Sequence, residues 1–91
     1  MASLVQMDVA LGHQTATAFN NAADEVQGIV NRVDGQTNQL EATWKGTSHD
    51  RFMGEYPGWK QDMTRFIQLL RDISQRIEKE TREIETADQA Y

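Results

Sequence analysis

Apolar side chains recur every seven residues along nearly the whole chain, in two sets for each half. In the second half, Phe52, Trp59, Phe66, Ile73, Glu80 and Ala87 form one set, and Tyr56, Met63, Leu70, Ile77, Ile84 and Tyr91 form the other. Alternating steps of four and three are the pattern of a helix that lays one stripe against a neighbouring helix. Glu80 is the only charged member, and it predicts either an opening of the seam or a basic group opposite. Ile67 and Leu69 widen the stripe at its middle, as a bundle helix requires. The first half repeats the pattern with smaller residues: Val5, Gly12, Phe19, Val26, Val33 and Leu40, beside Val9, Ala16, Ala23, Val30, Thr37 and Trp44. Gly12, Ala16, Ala18, Ala22 and Ala23 gather early in this half, so the closest helix–helix approach is expected there. Gly28 and Gly35 fall off the stripe and weaken the helix by about 1 kcal/mol each relative to Ala, but the period runs through both.

Between the two patterned halves stands Trp44-Lys45-Gly46, followed at once by Thr47-Ser48-His49-Asp50. A glycine after a periodic run closes a helix, and a Ser or Thr ahead of an acid opens the next. Gly46 suits a turn position with positive φ, and Ser48 reads as a helix cap. The fold class is therefore all-α, an antiparallel helix-turn-helix hairpin forming one domain over residues 1–91. Helix one is expected over about 8–43, the turn at 44–47, and helix two over about 48–90. Pro57 lies inside the second helix, where it costs about 3 kcal/mol and usually kinks the chain. Because the heptad register holds on both sides of it, helix two is expected to bend near Pro57. No stretch alternates apolar and polar residues for long, so strands have no support.

Helices of this length run to about 50 Å, and two of them side by side cover only part of each stripe. The candidate seam, shared between hairpin and dimer, comprises Phe19, Val26, Val33, Leu40, Phe52, Trp59, Met63, Phe66, Leu70, Ile73 and Ile77. The part left uncovered would be an apolar ridge larger than a soluble monomer tolerates. A second hairpin laid against it gives a four-helix bundle, and each large residue so buried contributes about 1.5–3 kcal/mol. Near-complete heptads and balanced charge point to a homodimer, with a sister chain as the alternative partner.

Composition narrows the chemistry. Ninety-one residues carry a formal charge of −5, which argues against electrostatic binding of nucleic acid or anionic lipid. There is no cysteine, so disulfides and thiolate chemistry are excluded. No segment reaches the roughly 20 apolar residues of a membrane span, and stable membrane insertion is not expected. The N-terminal residues lack the charged and apolar regions of a secretory signal, so any export is expected to use a route without a cleaved leader. His13 and His49 are far apart in sequence, and without converging ligands they read as surface or capping residues, not a metal site. Asp50, Asp62, Asp72 and Asp88 are scattered along helix two with no cleft to perturb them. No catalytic residue, metal or cofactor is expected, and the chain reads as a non-enzyme. The charges from Arg71 to Glu85 read as a solvated face of i,i+4 pairs.

A Trp-x-Gly turn midway along a cysteine-free helical hairpin of this size resembles the WXG-100 family, the early secreted antigenic target (ESAT-6-like) Esx proteins of type VII secretion systems. The matching residues are Trp44, Lys45 and Gly46, with Leu40 before them and Phe52 after. The resemblance covers essentially the whole chain. It implies a four-helix bundle of two hairpins, a homodimer or a pair with a sister WXG-type protein, exported by a membrane ATPase of the FtsK/SpoIIIE type. It also implies that the Trp44–Gly46 turn of one subunit lies near the partner's C-terminal tail as a composite recognition surface. The family's Tyr-x-x-x-Asp/Glu tail motif is not found here: Tyr56 is followed four places on by Lys60, and Tyr91 is the last residue given. Ile84, Asp88 and Tyr91 instead match the helical export pattern hydrophobic-x-x-x-Asp-x-x-hydrophobic. The function implied is that of a leaderless type VII substrate acting as a dimeric effector, antigen or export escort. A resident cytoplasmic coiled-coil adapter or chaperone is the rival reading.

Overall fold

The computed structural model describes residues 6–89, with side chains characterised to residue 87. Two helices account for almost all of it: α1, Val9–Glu41, and α2, Thr47–Gln89. Asp8 starts α1 as an N-cap, its carboxylate accepting from the Leu11 N–H at 3.0 Å, which satisfies one of the donors a helix start leaves free. The helix stops at Glu41, earlier than the heptads predict. There the Thr43 N–H and hydroxyl both converge on the Leu40 carbonyl, at 3.0 and 2.9 Å, tightening the last turn into the loop. Helix α2 runs unbroken through Pro57, which lacks an N–H to offer the Met53 carbonyl.

The hairpin spans 69 × 23 × 13 Å, so it is two helices wide and a single helix thick. Its interior can only be the seam. Cross-helix partners mirror one another about the turn: Gly12 with Thr81, Ala16 with Ser74, Asn20 with Arg71, Asp34 with Tyr56, and Glu41 with His49. At mid-length, Ala23, Ile67 and Leu70 are buried, with Phe19, Ala22, Val26 and Val30 packed on them.

Toward the termini the seam changes character. Gly12, Ala16 and Thr81 are buried there, and Thr81 is fully buried. A Cβ built on Gly12 would collide with the Thr81 hydroxyl and lie 2.9 Å from its methyl carbon. The helices thus approach closely where the small residues predict it. The Thr81 hydroxyl is not left unpaired: it reaches its own helix at the Ile77 carbonyl, 2.7 Å away, and the Met7 sulfur at 3.2 Å. The adjacent Glu80 turns to Arg76 one turn back on α2, at 3.1 Å. The sequence left open a seam gap or a basic partner opposite; Thr81 takes the seam position and the basic partner comes from the same helix.

Gly12→Ala is expected to destabilise the hairpin by about 1–3 kcal/mol through overpacking against Thr81. Gly28→Ala is expected to be neutral or to stabilise by up to about 1 kcal/mol, because nothing lies within 4 Å of an added Cβ there. Urea denaturation of the two variants beside the wild type measures both.

Candidate functional site

A straight α-helix drifts by about 20° per heptad against a strict seven-residue repeat, and the α1 stripe shows the drift. In the set Gly12, Phe19, Val26, Val33 and Leu40, the first is buried, the next two are partly buried, and the last two are exposed. The set Ala16, Ala23, Val30, Thr37 and Trp44 keeps facing α2. The α2 stripe also divides, but without a steady drift: its exposed members lie in the middle, with covered ones on both sides. Leu70 is buried and Phe52, Ile73 and Ile77 are partly buried, whereas Trp59, Met63 and Phe66 are open to solvent. The predicted seam is therefore two surfaces: one closed within the hairpin, one uncovered.

The uncovered surface is contiguous by helical geometry. Ile29, Val33 and Leu40 recur near a helical period on α1, and Trp59, Met63, Phe66 and Leu69 do so on α2. All seven are 46–53% exposed. In a projection at 3.6 residues per turn, both groups fall on the same side of the two-helix layer. This face holds most of the large apolar side chains that the hairpin leaves exposed; Leu11 and Met7, near the start of α1, are exposed as well.

The opposite side is polar and is stitched between the helices. Arg71 reaches across to the side-chain oxygens of Asn20 at 3.0 Å and Asp24 at 2.9 Å. The Tyr56 hydroxyl donates to Asp34 at 2.8 Å, and the Lys60 ammonium lies 3.1 Å from the same carboxylate. These two bonds, Tyr56 first, hold the Asp34 carboxyl below its ordinary range. The charges read from sequence as a solvated face thus include Arg71, Glu78 and Glu85, which tie one helix to the other. The histidines, read as surface or capping residues, are cross-links as well. His13 spans Glu78 and Glu85 of α2, and His49 spans Glu41 of α1 and its neighbour Asp50. Only the mirror relation about the turn would have found these pairs in the sequence.

At the turn, Gly46 has φ +114°, a backbone state that side chains with a Cβ adopt only with strain. Its carbonyl accepts from the Asp50 N–H at 3.1 Å, so Gly46 opens α2 and does not close α1. Ser48 is not a cap. It lies inside α2, and its hydroxyl accepts the indole N–H of Trp44 at 3.3 Å. Trp44 is partly buried and packs on His49 and Phe52, with ring centroids 5.7 and 5.3 Å away. Phe52 in turn stacks on Tyr56 and meets Trp59 edge-on at 5.5 Å. An aromatic ladder thereby links the turn to the uncovered apolar face. Of the predicted tail pattern, Ile84 is partly buried on α2. The Asp88 side chain and Tyr91 lie outside the described residues.

Among the described residues no group of three or more His, Asp or Glu side chains is placed to hold a metal ion. No described helix is long and apolar enough to cross a membrane.

Comparison with known proteins gives the same architecture. The family model WXG100, "proteins of 100 residues with WXG", matches residues 5–89. Among solved structures, the wild-type secreted protein EsxB of Bacillus anthracis str. Sterne is 32% identical, with 96% of this chain and 94% of that one covered and a TM-score of 0.84. A Glu-to-Gln mutant of the same protein is 30% identical over 100% of both chains, with a TM-score of 0.81. EsxA of Geobacillus thermodenitrificans is 21% identical over 99% of this chain and 97% of that one, with a TM-score of 0.80, a likeness of fold. Among curated proteins no relative matches the chain.

Gly46→Ala is expected to cost about 1–2 kcal/mol, the strain of a left-handed backbone on a residue with a Cβ. Gly54→Ala, in a helical position with open space around it, is expected to stabilise by up to about 1 kcal/mol. Thermal unfolding of both variants tests the assignment of Gly46 as the hinge of the turn.

Proposed function

The chain belongs to the WXG100 family, and on that premise we propose that it is a small Esx-type protein, secreted by a type VII system as a dimer of hairpins. The single observation that carries the dimer is the uncovered apolar face. Seven large side chains that are 46–53% exposed on a layer 13 Å thick have no interior of their own to enter. A second copy laid face to face converts them into the centre of a four-helix bundle. Val33, Leu40, Trp59, Met63 and Phe66 then act as the intermolecular part of the seam, while Phe19, Val26, Phe52, Leu70, Ile73 and Ile77 serve mainly within the hairpin. A sister WXG-type protein with a matching face is the alternative partner.

Secretion is supported by the family and by EsxB, a secreted protein to which the chain is 32% identical. On this reading the chain is exported without a cleaved leader by an FtsK/SpoIIIE-type ATPase and acts through contacts, as effector, antigen or escort. It has no catalytic role. Trp44 and Gly46 contribute the turn half of the export signal, and Ile84, Asp88 and Tyr91 the tail half. The aromatic ladder supports a turn whose shape depends on the docking face: Trp44 touches Phe52, and Phe52 touches Trp59.

Light scattering of the purified chain is expected to give twice the monomer mass. Phe66→Asp is expected to shift it to monomer, since burying an unpaired carboxylate costs several kcal/mol, or more than a hundredfold in dissociation constant. In a host with an active type VII system, the chain is expected in the medium and Trp44→Arg in the cytosol. Retention of the wild type while other substrates leave the cell would support a resident adapter.

A further inference from the structure

The chain has two histidines, and at opposite ends of a rod 69 Å long the fold sets each between two carboxylates, at least one of them on the other helix. At the open end, His13 of α1 lies between two carboxylates of α2. Its Nδ1 is 2.8 and 3.0 Å from the two oxygens of Glu78, and its Nε2 is 3.4 Å from Glu85. At the turn, His49 of α2 lies between Asp50, 3.0 Å from Nδ1, and Glu41 of α1, 3.3 Å from Nε2. A neutral imidazole has one N–H and one bare lone pair. In each site, therefore, one carboxylate faces a nitrogen that can bond it only when the ring carries its second proton.

We propose that His13 and His49 are proton-operated latches that close the two ends of the hairpin in mild acid and release them as the solution becomes alkaline.

The surrounding charges favour this use. Around His13, α2 presents Glu78 and Glu85, with Arg82 held on Glu78 at 3.1 Å. The α1 carboxylate nearest in sequence, Asp8, is engaged in capping Leu11. Around His49, α1 presents Glu41, α2 presents Asp50, and the Trp44 ring stands edge-on. The Glu78 bond is the largest influence raising the His13 pKa above 6.5, and the Asp50 bond does the same for His49. Glu78 is lowered from 4.5, chiefly by His13.

The sign follows from linkage. A histidine raised in the folded state stabilises fully below its unfolded value of 6.5 and loses that contribution as pH rises through the folded value. Glu78, lowered in the folded state, contributes above 4.5 and loses it as pH falls through its folded value. The His13 latch is therefore tightest between those two values. Its release removes the polar tie of α2 around Glu78 and Glu85 to the start of α1, leaving the Gly12–Thr81 packing to hold that end, and the His49 latch does the same for the two helix ends flanking Trp44. The inference concerns the hairpin alone and does not depend on secretion.

NMR titration of the histidine ring protons, with amide exchange corrected for intrinsic rates, tests it on the full chain. Both imidazoles are expected to titrate above 6.5. Protection is expected to fall severalfold between mildly acidic and mildly alkaline solution, at residues 78–87 through His13 and at 41–50 through His49. His13→Gln is expected to abolish the change at the open end only, and His49→Gln at the turn only. Glu85→Gln, which leaves His13 in place, is expected to reduce the open-end change. Histidines that titrate at or below 6.5 overturn the proposal. So does a pH response that is uniform along the rod or that persists in the double glutamine variant.

Discussion

A layer one helix thick has no inside. Two helices lying side by side over a thickness of 13 Å can bury side chains only along the line where they touch, and that line takes small residues best. Ala16, Ala23 and Gly12 occupy it on α1, and Thr81, Leu70 and Ile67 on α2. Apart from Leu70 and Ile67, the larger apolar side chains stand partly or wholly to one side of the line. The molecule resolves this by sorting. Phe66, Trp59, Val33 and their neighbours are turned to one face, and the charged and amide groups to the other. Hydrophobic burial within one copy is thereby limited from the start, and the remainder is available only to an association.

The polar face is the counterpart of that limitation. With so thin a seam, the helices are also held by contacts at their flank: Arg71 to Asn20 and Asp24, Tyr56 and Lys60 to Asp34, and the two histidines to their acids. Exposed pairs of this kind contribute little one by one. Spread along the whole rod, they fix the register of one helix against the other, because each pairing is specific to its partner's position. Register in turn keeps the apolar residues of both helices on a common side.

Much of this was legible in the sequence. The heptads gave two helices, the small residues gave the place of tightest approach, and Trp44-Lys45-Gly46 marked the turn. What could not be read was the division of each stripe, since Leu70 and Phe66 carry the same apolar signal. They are about one turn apart, and which of them is covered is set by how α2 is turned about its axis against α1, which only the assembled hairpin fixes. The local signals at the turn misled for a related reason. Ser48 has the composition of a cap, yet the Trp44 indole claims its hydroxyl. Gly46 has the composition of a stop, yet its carbonyl starts the next helix. The histidine bridges were invisible because their partners lie 65 residues apart at one end and become neighbours only once the turn is in place.

The mirror pairing about the turn also orders the hairpin by the entropy of closure. Glu41 and His49 are separated by 8 residues, Asp34 and Tyr56 by 22, Asn20 and Arg71 by 51, and Met7 and Thr81 by 74. Loop-closure entropy grows with separation, so the short-range aromatic ladder at Trp44 forms at least cost and each later pair closes on one already made. By that measure closure costs least at the turn and most at the open end. The end where Thr81 fills the space that Gly12 leaves is thus the one whose closure costs the most chain entropy, and its close packing offsets that cost.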